Sequence, residues 1–89
     1  MLKGETKSGF HYEIHDNVFD NMELVDTIAE ATEDDPVAIS RLVKLTLGVD
    51  QRKKLYDHLR TEDGRVPTEK VFETVGEIFA AFGQQEKNS

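Results

Sequence analysis

Three places in this 89-residue sequence carry side chains of types and spacings that could hold a metal or move a proton. The first is Thr61-Glu62-Asp63-Gly64-Arg65-Val66-Pro67-Thr68-Glu69, where acids precede a glycine and another follows it, as in a calcium loop. With Gly64 at the sixth loop position, Leu59 falls first, Thr61 third, Asp63 fifth and Lys70 twelfth. A leucine offers no oxygen, and an ammonium stands where the bidentate carboxylate belongs; Glu69 falls one residue short. The stretch therefore reads as a helix stop, a turn and a restart, with Gly64 as the left-handed residue, Pro67 preventing continuation and Thr68 as the next N-cap. The second place is His11, Glu13 and His15, which alternate along a strand and could offer three metal ligands on one face. Phe10, Tyr12 and Ile14 occupy the opposite face, and if these lie on a core the histidine face is solvated. The third is His58 beside Asp57, with no serine or cysteine at a recognisable nucleophile motif. No glycine-rich phosphate loop occurs. No catalytic residue, metal site or cofactor is expected, and the chain is not expected to be an enzyme.

Composition narrows the class. An apolar share of 37% against 33% charged residues fits one folded domain rather than a disordered chain. The absence of cysteine excludes disulfides, thiolate metal sites and a thiol nucleophile. No apolar run approaches the roughly 20 residues of a membrane helix, and MLKGETKSG lacks the apolar centre of a signal peptide, so a cytoplasmic chain with no membrane partner is expected. The net charge of −7 is unevenly spread: −8 over residues 1–35, +3 over 36–65 and −2 over 66–89. An acidic chain is repelled by phosphate backbones, and no nucleic acid is expected as a partner. The asymmetry can steer copies into head-to-tail self-association.

The elements that must position these residues follow from periodicity. Phe10 to His15 alternates apolar and polar residues, and Leu2, Gly4 and Thr6 supply a partner strand across a Lys7-Ser8-Gly9 turn. A lone hairpin is unstable in water, so its Phe10-Tyr12-Ile14 face must lie on helices. Asp20 reads as an N-cap paired with Glu23, with Phe19 stapling onto Leu24, and Leu24, Val25, Ile28, Ala29 and Ala31 make an apolar stripe. Asp35-Pro36 opens a second helix through Ile39, Leu42, Val43 and Leu47, widened by Val37 and Leu45 and stopped at Gly48. Asp50 caps a third, carrying Leu55, Tyr56 and Leu59. Val71, Phe72, Val75, Ile78, Phe79 and Phe82 form the stripe of a fourth. The expectation is a mainly α, α+β domain over residues 1–83. It has an N-terminal β-hairpin (2–15) packed on a bundle of about four short helices (about 21–32, 36–47, 51–62 and 68–82), with a flexible polar tail over 84–89.

Two functional readings compete on these elements. Residues 39–59 have two helices about a glycine and a basic second helix, the outline of a DNA-reading helix-turn-helix. Tight packing at that turn needs a small residue four before the glycine and a buried aliphatic six after it, where this chain has Lys44 and Lys54. A groove for another protein is the alternative. A small domain has little room to bury a whole aromatic stripe, so Phe79 and Phe82, backed by Val75 and Ile78, are the candidate partner-binding residues.

The ordered segments GFHYEI, DNMELVDTIAE, DPVAISRLVKLTLG and LYDHLRTEDGRVPTEKVFETVGEIFAAF resemble the small tail assembly chaperones of tailed phages and prophages of Gram-positive bacteria, over residues from about 4 to 82. The resemblance implies a protein that binds the long helical tape measure protein in the host bacterial cytoplasm while tail tube protein polymerises around it. It also implies release before the virion is complete. Many such chaperones are made in two lengths by a ribosomal slip, and Glu86-Lys87-Asn88 can be encoded by GAA AAA AAC, which contains the slip-prone run A AAA AAC. A small phage DNA-binding regulator and a structural head-tail component retained in the virion are the competing identities.

Overall fold

The computed structural model describes residues 1–32 and 34–87, the last five of these as main chain only. The alternating N-terminal segment forms the expected antiparallel hairpin of β1 (Leu2–Glu5) and β2 (His11–Ile14), with Leu2 opposite Ile14 and Gly4 opposite Tyr12. Its turn is closed by Thr6, whose N–H donates to the Phe10 carbonyl (2.9 Å) and whose Oγ1 accepts the Phe10 N–H (3.1 Å). Phe10 and Ile14 are buried and Tyr12 half-buried, so the apolar face does lie on the helices. The Tyr12 ring crosses Gly4 on the neighbouring strand, where any Cβ would overlap it.

Helix α1 (Met22–Glu30) is capped by Asn21, not by Asp20 as its sequence suggests. Asp20 is held in a turn by the bond from its N–H to the Asn17 carbonyl (3.0 Å), which leaves Asn21, with φ −149° and ψ 110°, to accept the Glu23 N–H on its Oδ1 (3.0 Å). The buried residues of α1 are Leu24 and Thr27. Thr27 enters the core because its hydroxyl donates to the Glu23 carbonyl one turn back (2.7 Å), leaving no unmet polar atom.

Helix α2 (Pro36–Leu59) opens as expected, with Asp35 Oδ1 accepting the Ala38 N–H (3.1 Å) and Pro36 in the first turn. It joins the two helices expected over 36–47 and 51–62 into one element bent at Gly48, so the described residues form three helices rather than about four, and α2 is the main support of β2. Gly48 has the anticipated positive φ, 81°, but its ψ of 170° is that of the mirror-extended region and not of a left-handed helix stop. One residue is thus enough to change direction, and the helix resumes with no intervening loop. Ile39, Leu42, Val43 and Leu47 before the kink and Leu55 after it are buried, whereas Val37, expected to widen this face, is 68% exposed.

Helix α3 (Thr68–Lys87) buries Val71, Val75 and Ile78. It runs past its expected end at 82 because the glutamines, Glu86 and Lys87 are good helix formers, and one glycine at 83 costs only about 1 kcal/mol. Residues 88 and 89 of the expected tail lie outside the described residues. Helix α2 packs against α1, α3 and β2, which places it at the centre of the fold. Among the described residues, no helix is long and apolar enough to cross a membrane.

The kink makes a direct prediction. Nothing lies within 4 Å of a Cβ added at Gly48, so the cost of Gly48→Ala is backbone strain alone. Chemical denaturation should show a loss of about 1–3 kcal/mol with helix content retained.

Candidate functional site

The calcium-like stretch closes on itself. Gly64 has φ 89°, the Thr61 N–H donates to the Arg65 carbonyl (2.8 Å), and the Gly64 N–H donates to the Thr61 carbonyl (3.0 Å). Arg60 Nη1 donates to the Gly64 carbonyl at 2.9 Å. The Asp63 carboxylate accepts from the Thr61 hydroxyl and from Arg65 Nε (2.9 Å), and these two donors hold its carboxyl below the usual carboxylate range. Pro67, rather than Thr68, occupies the cap position: its carbonyl accepts the Val71 N–H (3.3 Å), and Thr68 is the first helical residue.

His11, Glu13 and His15 are exposed, His11 beside Glu5 (3.9 Å) and Glu13 beside Lys3 (3.7 Å). Among the described residues, no three His, Asp or Glu side chains come together as a metal site. His58 Nε2 shares a hydrogen bond with Ser8 Oγ (3.0 Å), and its ring lies 5.7 Å from that of Phe10. Ser8 Oγ is also bonded to Thr6 Oγ1 (3.1 Å), so the pair tethers the hairpin turn to α2. A second tether is Gln51, whose side-chain amide accepts the Glu13 N–H (2.7 Å) and donates to the Glu13 carbonyl (2.6 Å) and to the Leu47 carbonyl (2.8 Å). Neither tether has a sequence signal, because each joins residues of different elements.

The four candidate partner-binding residues separate. Val75 and Ile78 are core, 2% and 1% exposed, and cannot reach a partner from the folded chain. Phe79 and Phe82 are half-buried. Phe19, expected as a staple for Leu24, packs against the core cluster that holds Leu24, stacks its ring on Phe82 (centroids 3.8 Å) and meets Phe79 edge-on (5.5 Å).

The larger apolar surface is on α1. Met22, Val25 and Ile28, three residues apart, are 69%, 45% and 42% exposed. The stripe read from the sequence was too broad for one contact: Leu24, Thr27 and Ala31 take the inner side, and the rest of the apolar arc is left facing out, with Glu23, Asp26 and Glu30 around it. Burial of a threonine conceals this, since Thr27 scores as polar in any hydrophobic pattern. No family model, no curated protein and no solved structure matches the chain.

Two predictions follow from these contacts. If Phe19 and Phe82 are a working pair, Phe19→Ala and Phe82→Ala should be non-additive in urea denaturation, with a coupling of about 0.5–1.5 kcal/mol; strict additivity removes the pair. The Tyr12 phenol is held above its ordinary value of 10.0 by burial and, secondarily, by Glu77. Because the folded state keeps this proton more tightly than the unfolded chain, its contribution is fully present below pH 10 and is lost as pH rises through the higher folded value. Tyr12→Phe should therefore flatten the fall of stability above pH 10, measured by denaturation at a series of alkaline pH values.

Proposed function

We propose that this chain is a tail assembly chaperone of a tailed phage or prophage, holding a helical tape measure protein in the host bacterial cytoplasm until tail tube subunits enclose it. The observation that carries the reading is the outward row of Met22, Val25 and Ile28 on α1. Apolar residues at helical spacing on an exposed, acidic-flanked helix are what an amphipathic client helix packs against. The sequence resemblance described above, which spans most of the domain, supports the same assignment. A chaperone that must release its client needs a small apolar face rather than a deep, permanent site, and this row is of that kind. Phe79 and Phe82, with Phe19, form the second apolar edge of the proposal; Val75 and Ile78 support it from the core.

The test is co-expression with a phage tape measure protein. The wild-type chain should keep that protein in the soluble fraction, and the triple variant Met22→Ser, Val25→Ser, Ile28→Ser should lose this effect. Its melting temperature should stay within a few degrees of wild type, since the three side chains lie outside the core. A triple variant that still keeps the client soluble, or a chain found in purified virions, overturns the reading.

A further inference from the structure

The outer edge of β1 carries a second interaction surface, and its partner is identifiable from charge. In an antiparallel pair, opposed residues alternate between those that exchange main-chain hydrogen bonds and those whose N–H and C=O point away from the partner strand. The Thr6 N–H donates to the Phe10 carbonyl, so Thr6 and Phe10 are a bonded pair; two residues on, Gly4–Tyr12 is bonded as well, and then Leu2–Ile14. Lys3–Glu13 and Glu5–His11 are the non-bonded pairs. Glu13 shows this independently, because both its main-chain groups point outward, to Gln51. By the same alternation, the N–H and C=O of Lys3 and Glu5 point outward from β1. The outer edge of β2 is thus closed at its middle by Gln51, whereas on the outer edge of β1 Glu77 of α3 accepts the Lys7 N–H (2.7 Å) just past the strand, and among the described residues no group outside the hairpin bonds to the main chain of Lys3 or Glu5.

We infer that this edge pairs with the same edge of a second copy, antiparallel about Gly4, to give a four-stranded sheet. In that register Lys3 lies opposite Glu5 of the second copy, and Glu5 opposite its Lys3. Both are the outward-bonding kind, so the two chains exchange main-chain bonds at each pair. The side chains agree with the register. Lys3 and Glu5 stand on the solvated face, 72% and 55% exposed, each already beside an opposite partner within its hairpin: Lys3 with Glu13 (3.7 Å) and Glu5 with His11 (3.9 Å). Across the joined sheet they form one row of Glu13, Lys3, then Glu5 and His11 of the second copy, with an acid next to a base at every step up to the imidazole. Opposite charges directly across a strand pair stabilise it, and like charges destabilise it. A register displaced by two residues would set Lys3 against Lys3 of the second copy, or Glu5 against its Glu5, so the charges select the one centred on Gly4. The surface is separate from the α1 face and does not depend on the chaperone reading.

The experiment uses charge exchange. Sedimentation of the full chain at low ionic strength, from micromolar to about millimolar, should show a monomer–dimer equilibrium weakened by salt. Lys3→Glu alone and Glu5→Lys alone each place like charges opposite one another at both positions and should weaken the dimer at least tenfold. An equimolar mixture of the two variants restores opposite charges at both positions and should recover a mixed dimer. Lys3→Pro, which removes an outward N–H that the hairpin does not use, should be monomeric with an unchanged melting temperature. A wild-type chain that stays monomeric throughout overturns the proposal, as does one that binds another protein's extended segment there instead. So do single variants as dimeric as wild type, a mixture that remains monomeric, or a Lys3→Pro chain that still dimerises.

Discussion

The fold depends on one backbone conformation, that of Gly48. Its φ of 81° and ψ of 170° lie where a side chain would collide with the main chain, and they turn α2 in the space of one residue. Because of that turn a single helix can meet α1, α3 and β2, burying Ile39, Leu42, Val43 and Leu47 on one side of the bend and Leu55 on the other. The chain has only a modest core to spend, and the kink concentrates that core about one element.

The hairpin is the dependent part. Two strands do not hold together in water, and here their apolar face is fastened to the helices by Phe10 and Ile14. Polar tethers add direction to this burial. Gln51 stands just past the bend and binds both main-chain groups of Glu13 together with the Leu47 carbonyl, linking the strand edge to the kink. Ser8 and His58 do the same for the turn. Such bonds contribute little each, but they choose which side of the hairpin faces α2, and so which edge stays free.

The apolar surface left over is where interaction chemistry concentrates. With the catalytic-looking residues engaged in turn closure, cross-strand pairs and tethers, the apolar part of the remaining surface is the α1 row and the aromatic trio of Phe19, Phe79 and Phe82. This fits the proposed reversible contact with another chain. It also accounts for the acidic N-terminal third, which keeps an exposed apolar row surrounded by solvated charge.

By itself, the sequence determined whatever is governed by neighbours along the chain. The Phe10–Ile14 alternation, the Asp35-Pro36 helix start, the positive φ at Gly48 and Gly64 and the failure of TEDGRVPTE as a metal loop are all local, set by sterics or by a missing ligand within a few residues. The rest required the tertiary structure. Whether Gly48 stops α2 or only bends it depends on the packing partners on both sides, and the shift of the α1 cap to Asn21 depends on the preceding turn. Val75 and Ile78 could not be separated from Phe79 and Phe82 by periodicity, since a helical stripe is wider than the contact that buries it. The exposure of Val25 and Ile28, the burial of Thr27 and the open edge of β1 were decided by which elements lie alongside, because hydrophobicity says that a side chain favours burial but only the surrounding volume decides which ones obtain it.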